Sequence, residues 1–206
     1  MKLMQVLAFV AGVVVATTVC AEASHEPKKI MERVKEIIGD RCSLCHGVRG
    51  DAASETAPRL AAQHPAYIVK QLRDFRDGRR KGTMMNDMAK GLTEEEIAGL
   101  AVYFSTQKPA SKKPQDAEFA AIGRYIFHKG NTYSGVVACA TCHGPEGYGT
   151  IQLPRLAGQH PGYLETQLGD FNKRERTNDN AIMHTIASKM TTFEIKAVAA
   201  YIGGLE

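Results

Sequence analysis

Two five-residue segments of the chain combine paired cysteines with an adjacent histidine. They are Cys42-Ser43-Leu44-Cys45-His46 and, 97 residues later, Cys139-Ala140-Thr141-Cys142-His143. A single C-x-x-C unit is compatible with a redox dithiol or with half of a zinc site. A zinc site made from both units leaves the two following histidines unexplained, whereas C-x-x-C-H is the attachment sequence of a c-type haem. The doubled motif therefore predicts two covalently bound haem c groups.

Each residue type in these motifs has a defined chemical task. Two thiols form thioether bonds to the porphyrin, and the neutral imidazole that follows them is a strong ligand for iron. The predicted attachment residues are Cys42, Cys45, Cys139 and Cys142, and the predicted axial ligands on this side of each ring are His46 and His143.

A segment typical of protein export opens the chain. A basic residue precedes an almost unbroken apolar run from Leu3 to Val19, and Ala21 and Ala23 form an A-x-A cleavage site. The sequence therefore predicts a signal peptide over residues 1–23, cleaved near Ala21 or Ala23, and a periplasmic location. Its removal takes away Cys20 and leaves the four motif cysteines. No second apolar stretch reaches spanning length, so the mature protein is expected to be soluble or only peripherally attached to a membrane.

The charge of the chain is weakly positive and evenly spread. The formal net charge is +4, with 15 basic against 12 acidic residues over 24–109 and 10 against 9 over 110–206. This distribution does not indicate binding to nucleic acid. One local cluster, Arg79-Arg80-Lys81, suggests instead a contact surface for an acidic partner.

The two halves of the chain repeat each other well beyond the haem motifs. Pro58-Arg59-Leu60-Ala61 matches Pro154-Arg155-Leu156-Ala157, and Gln63-His64-Pro65 matches Gln159-His160-Pro161, both at an offset of 96 residues. Self-similarity over nearly the whole mature chain indicates a duplicated domain. The predicted boundaries are 24–109 for domain one, 110–115 for a polar linker with proline, and 116–206 for domain two.

Helical signals place these motifs on an all-α scaffold. Apolar stripes precede both haem motifs, and Pro65 and Pro161 suit the first turn of a middle helix. Capping boxes then open the last helix of each half, and no strand or hairpin signal competes. The stripes are Ile30, Val34, Ile37 and Ile38, then Phe119, Ile122 and Ile126; the boxes are Thr93 with Glu96 and Thr191 with Glu194.

The repeat also selects a second axial ligand for each iron. Alignment of the capping boxes at an offset of 98 places Met85 opposite Met183, and no other methionine pair survives. A thioether opposite histidine leaves iron six-coordinate and raises its reduction potential. We therefore predict Met85 and Met183 as the sixth ligands. His64 and His160 are the competing pair, although a histidine before proline at a helix start commonly has a capping or surface role.

Taken together, these residues resemble the diheme cytochrome c4 family. The resemblance rests on both C-x-x-C-H motifs, the P-x-L-A-x-Q segments at 58–63 and 154–159, the Y-x-x-x-Q-L segments at 67–72 and 163–168, and the paired methionines. It implies two tandem class I cytochrome c domains of the mitochondrial type. It further implies that two prolyl carbonyls accept a hydrogen bond from the axial histidines and that repeated polar residues bind haem propionates; these are Pro58 and Pro154, then Arg59, Arg155, Tyr67 and Tyr163.

Domain one departs from this pattern in its first helix. Domain two has Gly123 where the first and last helices are expected to cross closely, whereas the comparable stretch of domain one, Glu32 to Lys35, has no glycine, so a looser crossing is expected there. A second difference is the insert Lys129 to Val137, in which Gly130-Asn131 is expected to end a helix.

The leading functional hypothesis is an electron carrier without a substrate site, and so not an enzyme. Its expected partners are redox proteins: a membrane oxidase or quinol-oxidising complex and small periplasmic carriers. The alternative is a diheme subunit of an oxidoreductase complex, such as a flavocytochrome c sulfide dehydrogenase. A true diheme enzyme is the least favoured, because neither half shows an iron that lacks its methionine.

Overall fold

The computed structural model describes residues 18–109 and 117–206, with side chains from residue 27 onward. The predicted linker 110–115 and residues 1–17 of the predicted signal peptide lie outside the described residues. Domain one contains α1 to α5 and domain two contains α6 to α10. Their bounds are Thr18–Ile37, Ser43–His46, Pro65–Arg76, Met85–Ala89 and Glu94–Ser105, then Ala117–Lys129, Ala140–His143, Pro161–Asn172, Ile182–Ala187 and Thr192–Gly203.

Domain one has its core between α1, α3 and α5. The predicted stripe on α1 is confirmed, because Val34, Ile37 and Ile38 are buried against Ile97 and Phe104 of α5. A π-helical turn, Ile38–Cys42, continues α1 directly into the first haem motif on α2. Such turns are rare and frequently mark functional sites.

Domain two reaches its haem motif through an insert instead. Helix α6 ends where Gly130 takes a φ of +72°, and the Gly130 N–H donates to the Ile126 carbonyl at 2.8 Å, as expected for a glycine helix end. Beyond it, Asn131 and Val136 form an antiparallel bridge, with N–H···O distances of 2.8 and 2.9 Å. Apart from this bridge the described residues are helix, turn and loop, so the predicted all-α class is confirmed.

The close crossing of the first and last helices is built differently in the two halves. In domain two, a Cβ added to Gly123 of α6 would lie 1.9 Å from the Ala197 carbonyl oxygen of α10. In domain one the glycine is on the last helix, where a Cβ on Gly99 would lie 2.6 Å from Val34 Cγ2. The apolar stripe predicted on α6 was wrong at Ile122, which is 42% exposed, because Gly123 turns toward α10.

The predicted helix starts are confirmed in both halves. Pro65 and Pro161 occupy the first turns of α3 and α8. Reciprocal capping boxes open α5 and α10, with Glu96 N–H donating to Thr93 Oγ1 at 3.1 Å and Glu194 N–H donating to Thr191 Oγ1 at 3.2 Å. Over the described residues, none of the helices is both long enough and apolar enough to cross a bilayer.

Candidate haem sites

The two motif histidines have the same environment in both domains. Each is the last residue of a one-turn helix, and its Nδ1–H donates to a prolyl carbonyl, from His46 to Pro58 at 2.9 Å and from His143 to Pro154 at 3.2 Å. Burial lowers the pKa of both rings, and the carbonyl bonds oppose this only in part. A neutral imidazole that donates through Nδ1 offers Nε2 to a metal, so both residues fit the role of axial ligand.

The motif cysteines fit covalent attachment. Cys42, Cys45, Cys139 and Cys142 are all free thiols. Burial raises the pKa of Cys42 and of Cys139 to about 11. All four sulfurs therefore remain available for thioether bonds, with no disulfide competing for them.

The paired methionines lie in equivalent places between the middle and last helices. Met85 begins α4 and packs on the core of domain one, and Met183 lies on α9, where its N–H donates to Asp179 Oδ2 at 2.6 Å. Both are partly buried. By contrast, Met84 is 58% exposed and Met190 is 6% exposed within the core of domain two. Burial therefore distinguishes the predicted ligands from Met84 and Met190 but not from Met88, which is also partly buried; the pairing of Met85 with Met183 by the repeat excludes Met88.

The competing histidines, His64 and His160, have another use. Neither side chain caps its helix. Each ring donates through Nε2 to a carbonyl of the opposite domain, from His64 to Tyr148 at 2.7 Å and from His160 to Ala52 at 2.9 Å. A nitrogen engaged in this way is not free for iron, which favours methionine as the sixth ligand and replaces the expected capping or surface role.

The seam between the domains is made from pairs of bonds related by the repeat. Arg80 lies at its centre, 7% exposed, with Nη1 donating to Gln71 Oε1 at 2.6 Å. Its Nη2 donates across the seam to Tyr163 Oη at 3.1 Å and to Gln167 Oε1 at 2.6 Å, and its guanidinium covers the ring of Phe75 at 4.5 Å. The basic cluster predicted at 79–81 was therefore wrong at its middle residue, which faces inward.

Arg176, 96 residues later, repeats this arrangement from domain two. Its Nη1 donates to Gln167 Oε1 at 2.8 Å, and its Nη2 donates to Tyr67 Oη at 3.0 Å and to Gln71 Oε1 at 3.3 Å. Its guanidinium covers Phe171 at 4.5 Å. Sequence reasoning missed both arginines, although their common offset of 96 from each other matched that of the surrounding segments.

One buried polar atom of the seam provides an independent test of the fit to haem. Arg155 Nε is buried without a hydrogen-bond partner, while the guanidinium lies 4.5 Å from the centre of the Tyr148 ring. A buried guanidinium donor of this kind suits a carboxylate such as a haem propionate. The donor set therefore fits two haem c groups, and Arg155 is a residue that would hold a haem propionate.

Known proteins resemble the chain along both halves. Residues 111–206 match the cytochrome c family, and residues 30–104 match the family described as subunit III of cbb3-type cytochrome c oxidase. The chain is 41% identical over 168 residues to cytochrome c4 of Thiocapsa roseopersicina, which covers 80% of this chain and 86% of that protein. Two cytochrome domains in tandem therefore account for the fold.

Two further proteins resemble this chain over most of its length. The crystal structure of reduced recombinant cytochrome c4 from Pseudomonas stutzeri superposes with a TM-score of 0.80 at 34% identity, covering 85% of this chain and 98% of that one. The thiosulfate dehydrogenase electron acceptor of Thiomonas intermedia (strain K12) is 36% identical over 167 residues, covering 78% of this chain and 76% of that protein.

Proposed function

Since this chain belongs to the cytochrome c4 family, we propose that it shuttles single electrons in the periplasm between a respiratory donor and a terminal oxidase or another acceptor. The chain carries two covalently bound haem c groups. When bound, each haem supplies one reversible one-electron couple. The work of the polypeptide is to hold these groups, fix their ligands and limit the access of other molecules.

The proposed ligands follow the repeat. Domain one holds its haem through Cys42 and Cys45, with His46 and Met85 on the iron. Domain two uses the same residue types, namely Cys139, Cys142, His143 and Met183. The observation that carries the two histidine assignments is the bond from each Nδ1–H to a prolyl carbonyl, because it fixes the ring and directs Nε2 away from the backbone. The methionine assignments are supported by the register of the repeat.

Removal of a methionine tests this assignment directly. Met85→Ala is expected to open one iron, so that the reduced protein binds one carbon monoxide per chain, whereas the unaltered protein binds none. Met183→Ala is expected to do the same at the second haem. The measurement is carbon monoxide titration followed by visible absorption.

Met84→Leu is the matched control, because this exposed neighbour of Met85 is expected to leave both irons closed. Rapid carbon monoxide binding by the unaltered protein would contradict a simple carrier and indicate an open site. Mass spectrometry of the periplasmic protein provides a further check: two haems and a mature chain that begins after Ala21 or Ala23 are expected.

A second candidate is a dedicated electron acceptor or subunit of an oxidoreductase, of which a flavocytochrome c sulfide dehydrogenase is one type. The observation that favours it is the similarity to a protein named as the electron acceptor of thiosulfate dehydrogenase. The two candidates differ in partner range. Stable co-purification with one enzyme, together with fast reduction by that enzyme alone, would favour the second candidate over a carrier that serves several redox proteins.

A further inference from the structure

The glutamines that end the P-x-L-A-x-Q segments, Gln63 and Gln159, are buried in the seam. The side-chain amide of Gln159 pairs with both backbone polar groups of one residue in the other domain. Its Oε1 accepts the Arg59 N–H at 2.8 Å, and its Nε2 donates to the Arg59 carbonyl at 3.0 Å. Gln159 of domain two is therefore hydrogen-bonded to both backbone polar groups of a single residue of domain one.

Gln63 makes the reciprocal contact. Its Oε1 accepts the Arg155 N–H at 2.8 Å, and its Nε2 donates to the Arg155 carbonyl at 2.9 Å. The two contacts agree closely in length, although the loops around them differ. The same bidentate contact is therefore present in both directions across the seam.

The backbone N–H groups that these glutamines bind belong to the same peptide groups that accept the hydrogen bonds of the proposed axial histidines. The Arg59 N–H belongs to the Pro58–Arg59 peptide group, and the carbonyl of the same group accepts the His46 Nδ1–H at 2.9 Å. The Pro154–Arg155 peptide group likewise accepts the His143 Nδ1–H at its carbonyl, at 3.2 Å. Each peptide group thus joins a glutamine of one domain to the histidine of the other.

Amide resonance connects the two ends of such a peptide group electronically. An acceptor at the N–H end increases the negative charge on the carbonyl oxygen, and neighbouring hydrogen bonds strengthen each other by roughly 10–30% in a chain. A more negative prolyl oxygen forms a stronger hydrogen bond with the Nδ1–H and so makes the imidazole a stronger electron donor to iron. A stronger donor favours the oxidised iron and so lowers the reduction potential.

We propose that Gln159 and Gln63 are positioning residues that set the donor strength of the axial histidine in the opposite domain, so that the contact between the domains influences both irons. The inference rests on the proposed assignment of His46 and His143 as iron ligands. A purely local role is the competing explanation, because each Oε1 also accepts the N–H of the residue that follows it, at 3.0 Å in both domains.

The test uses the full two-haem protein with Gln159→Met and Gln63→Met, which keep the side-chain length but remove the amide. Two quantities are measured: the proton chemical shifts of the two Nδ1–H groups in the reduced protein, and the reduction potential of each haem. For Gln159→Met we expect an upfield shift at His46 and a higher potential at its haem. The expected change in the electron-exchange equilibrium is about two- to tenfold, or about 18–59 mV. Gln63→Met is expected to do the same at His143.

The crossed pattern is the decisive result, and each variant is the control for the other. Gln159→Glu and Gln63→Glu keep an oxygen acceptor for the peptide N–H, so the Nδ1–H signal of the opposite domain is expected to stay in place or move downfield. The glutamate variants also provide the test if a methionine variant fails to fold. Loosening of the seam alone would move all four variants in the same direction.

Three outcomes would overturn the inference. These are a change at the histidine of the same domain, equal changes at both haems in every variant, or no change while both haems keep their ligands. A separate result would show that the proposed ligands are wrong. In that case the unaltered protein contains two haems but gives no ligand signals from His46 and His143.

Discussion

Asp74 and Asp170 stand at equivalent places in the repeat but have opposite electrostatic surroundings. Asp74 accepts hydrogen bonds from Lys70 Nζ at 2.5 Å, Asn178 Nδ2 at 2.7 Å and Arg79 Nε at 2.8 Å. Burial alone would raise the pKa of Asp74, but these three donors hold it below its usual value. The ionised carboxylate is therefore stabilised in the folded protein.

Asp170 lacks this set of cations. It accepts one bond from Gln167 Nε2 at 3.1 Å, and the position that corresponds to Arg79 is Glu175. Burial raises the pKa of Asp170, and the charge of Glu175 adds to this. The charges of Arg176 and Arg80 and the bond from Gln167 oppose the rise without cancelling it. The ionised form of Asp170 therefore costs folding free energy at neutral pH.

Replacement of these aspartates by asparagine is expected to have opposite effects. At pH 7, Asp74→Asn should lower the free energy of unfolding by about 1–3 kcal/mol, because charged hydrogen bonds at a buried carboxylate are lost. Asp170→Asn should be neutral or stabilising. Chemical denaturation of the holoprotein at several pH values measures both.

The pH dependence fixes the sign of each effect. Asp74 has a lowered pKa in the folded protein, so its ionised carboxylate stabilises the fold at pH values above the ordinary carboxyl pKa. This stabilisation is lost as the pH falls through the folded pKa, so the loss of unfolding free energy caused by Asp74→Asn should become smaller in acid. Asp170 has a raised pKa in the folded protein, so its ionised form lowers the stability only at high pH. The stabilisation by Asp170→Asn should therefore be complete above the folded pKa of Asp170 and absent below the ordinary carboxyl pKa. A pH-independent penalty at Asp74 would contradict the electrostatic explanation.

At the scale of elements, the two domains bring their first and last helices together in different ways. Domain two places glycine on its first helix, at Gly123 opposite Ala197, and domain one places it on its last helix, at Gly99 opposite Val34. Only one partner of each pair needs to lack a side chain. Because Gly99 faces a valine side chain whereas Gly123 faces the backbone of α10, the helices of domain one cross less closely, as the missing glycine in its first helix predicts.

Replacement of either glycine by alanine is expected to lower the free energy of unfolding. The size of the loss depends on which atoms the new methyl group contacts. Gly123→Ala faces a backbone carbonyl that cannot rotate away, and should lower the free energy of unfolding by about 3 kcal/mol. Gly99→Ala meets a valine methyl group and should cost less. Thermal unfolding of the holoprotein gives both values.

Gly169 of α8 is the matched control, because a Cβ there has open space. Gly169→Ala is expected to stabilise the helix by about 0.5–1 kcal/mol. If Gly123→Ala were as well tolerated as Gly169→Ala, the crossing of α6 and α10 would be looser than the structure has it.

At the scale of the whole molecule, buried guanidinium groups connect the two domains. Arg80 and Arg176 each bond to glutamines of both domains and to the tyrosine of the opposite one. The planar fork of arginine is needed for several partners at fixed angles, and lysine does not reproduce it. The two domains are therefore expected to unfold together.

Lysine at either seam arginine tests this cooperativity. Arg80→Lys and Arg176→Lys should each lower the free energy of unfolding by about 1.5–3 kcal/mol, because hydrogen bonds to a buried charge are lost. Calorimetry of the holoprotein should change from one transition toward two. Arg124→Lys, on the exposed surface of α6, is the control and should stay within about 0.5 kcal/mol of the unaltered protein. Equal behaviour of all three variants would show that the seam contributes little.

Local spacing by itself determined the covalent chemistry and the helices. The C-x-x-C-H motifs, the capping boxes and the prolines at helix starts act within a few residues, so the sequence contains all of their geometry. The offset of the repeat added the pairing of Met85 with Met183, which stays a prediction until the ligands are measured. The all-α class follows from the same local patterns, and the tandem domains follow from the repeat.

Only the tertiary structure decided which partner each repeated polar residue takes. Arg80, Gln63 and His64 have the same sequence pattern whether they bind within their domain, cross the seam or face solvent. That choice depends on how two separately folded units dock, and docking brings together backbone and side chains about 80 to 110 residues apart. Sequence periodicity carries no record of such distant contacts, so the sequence wrongly places Arg80 in a basic surface cluster and His64 and His160 in a capping or surface role.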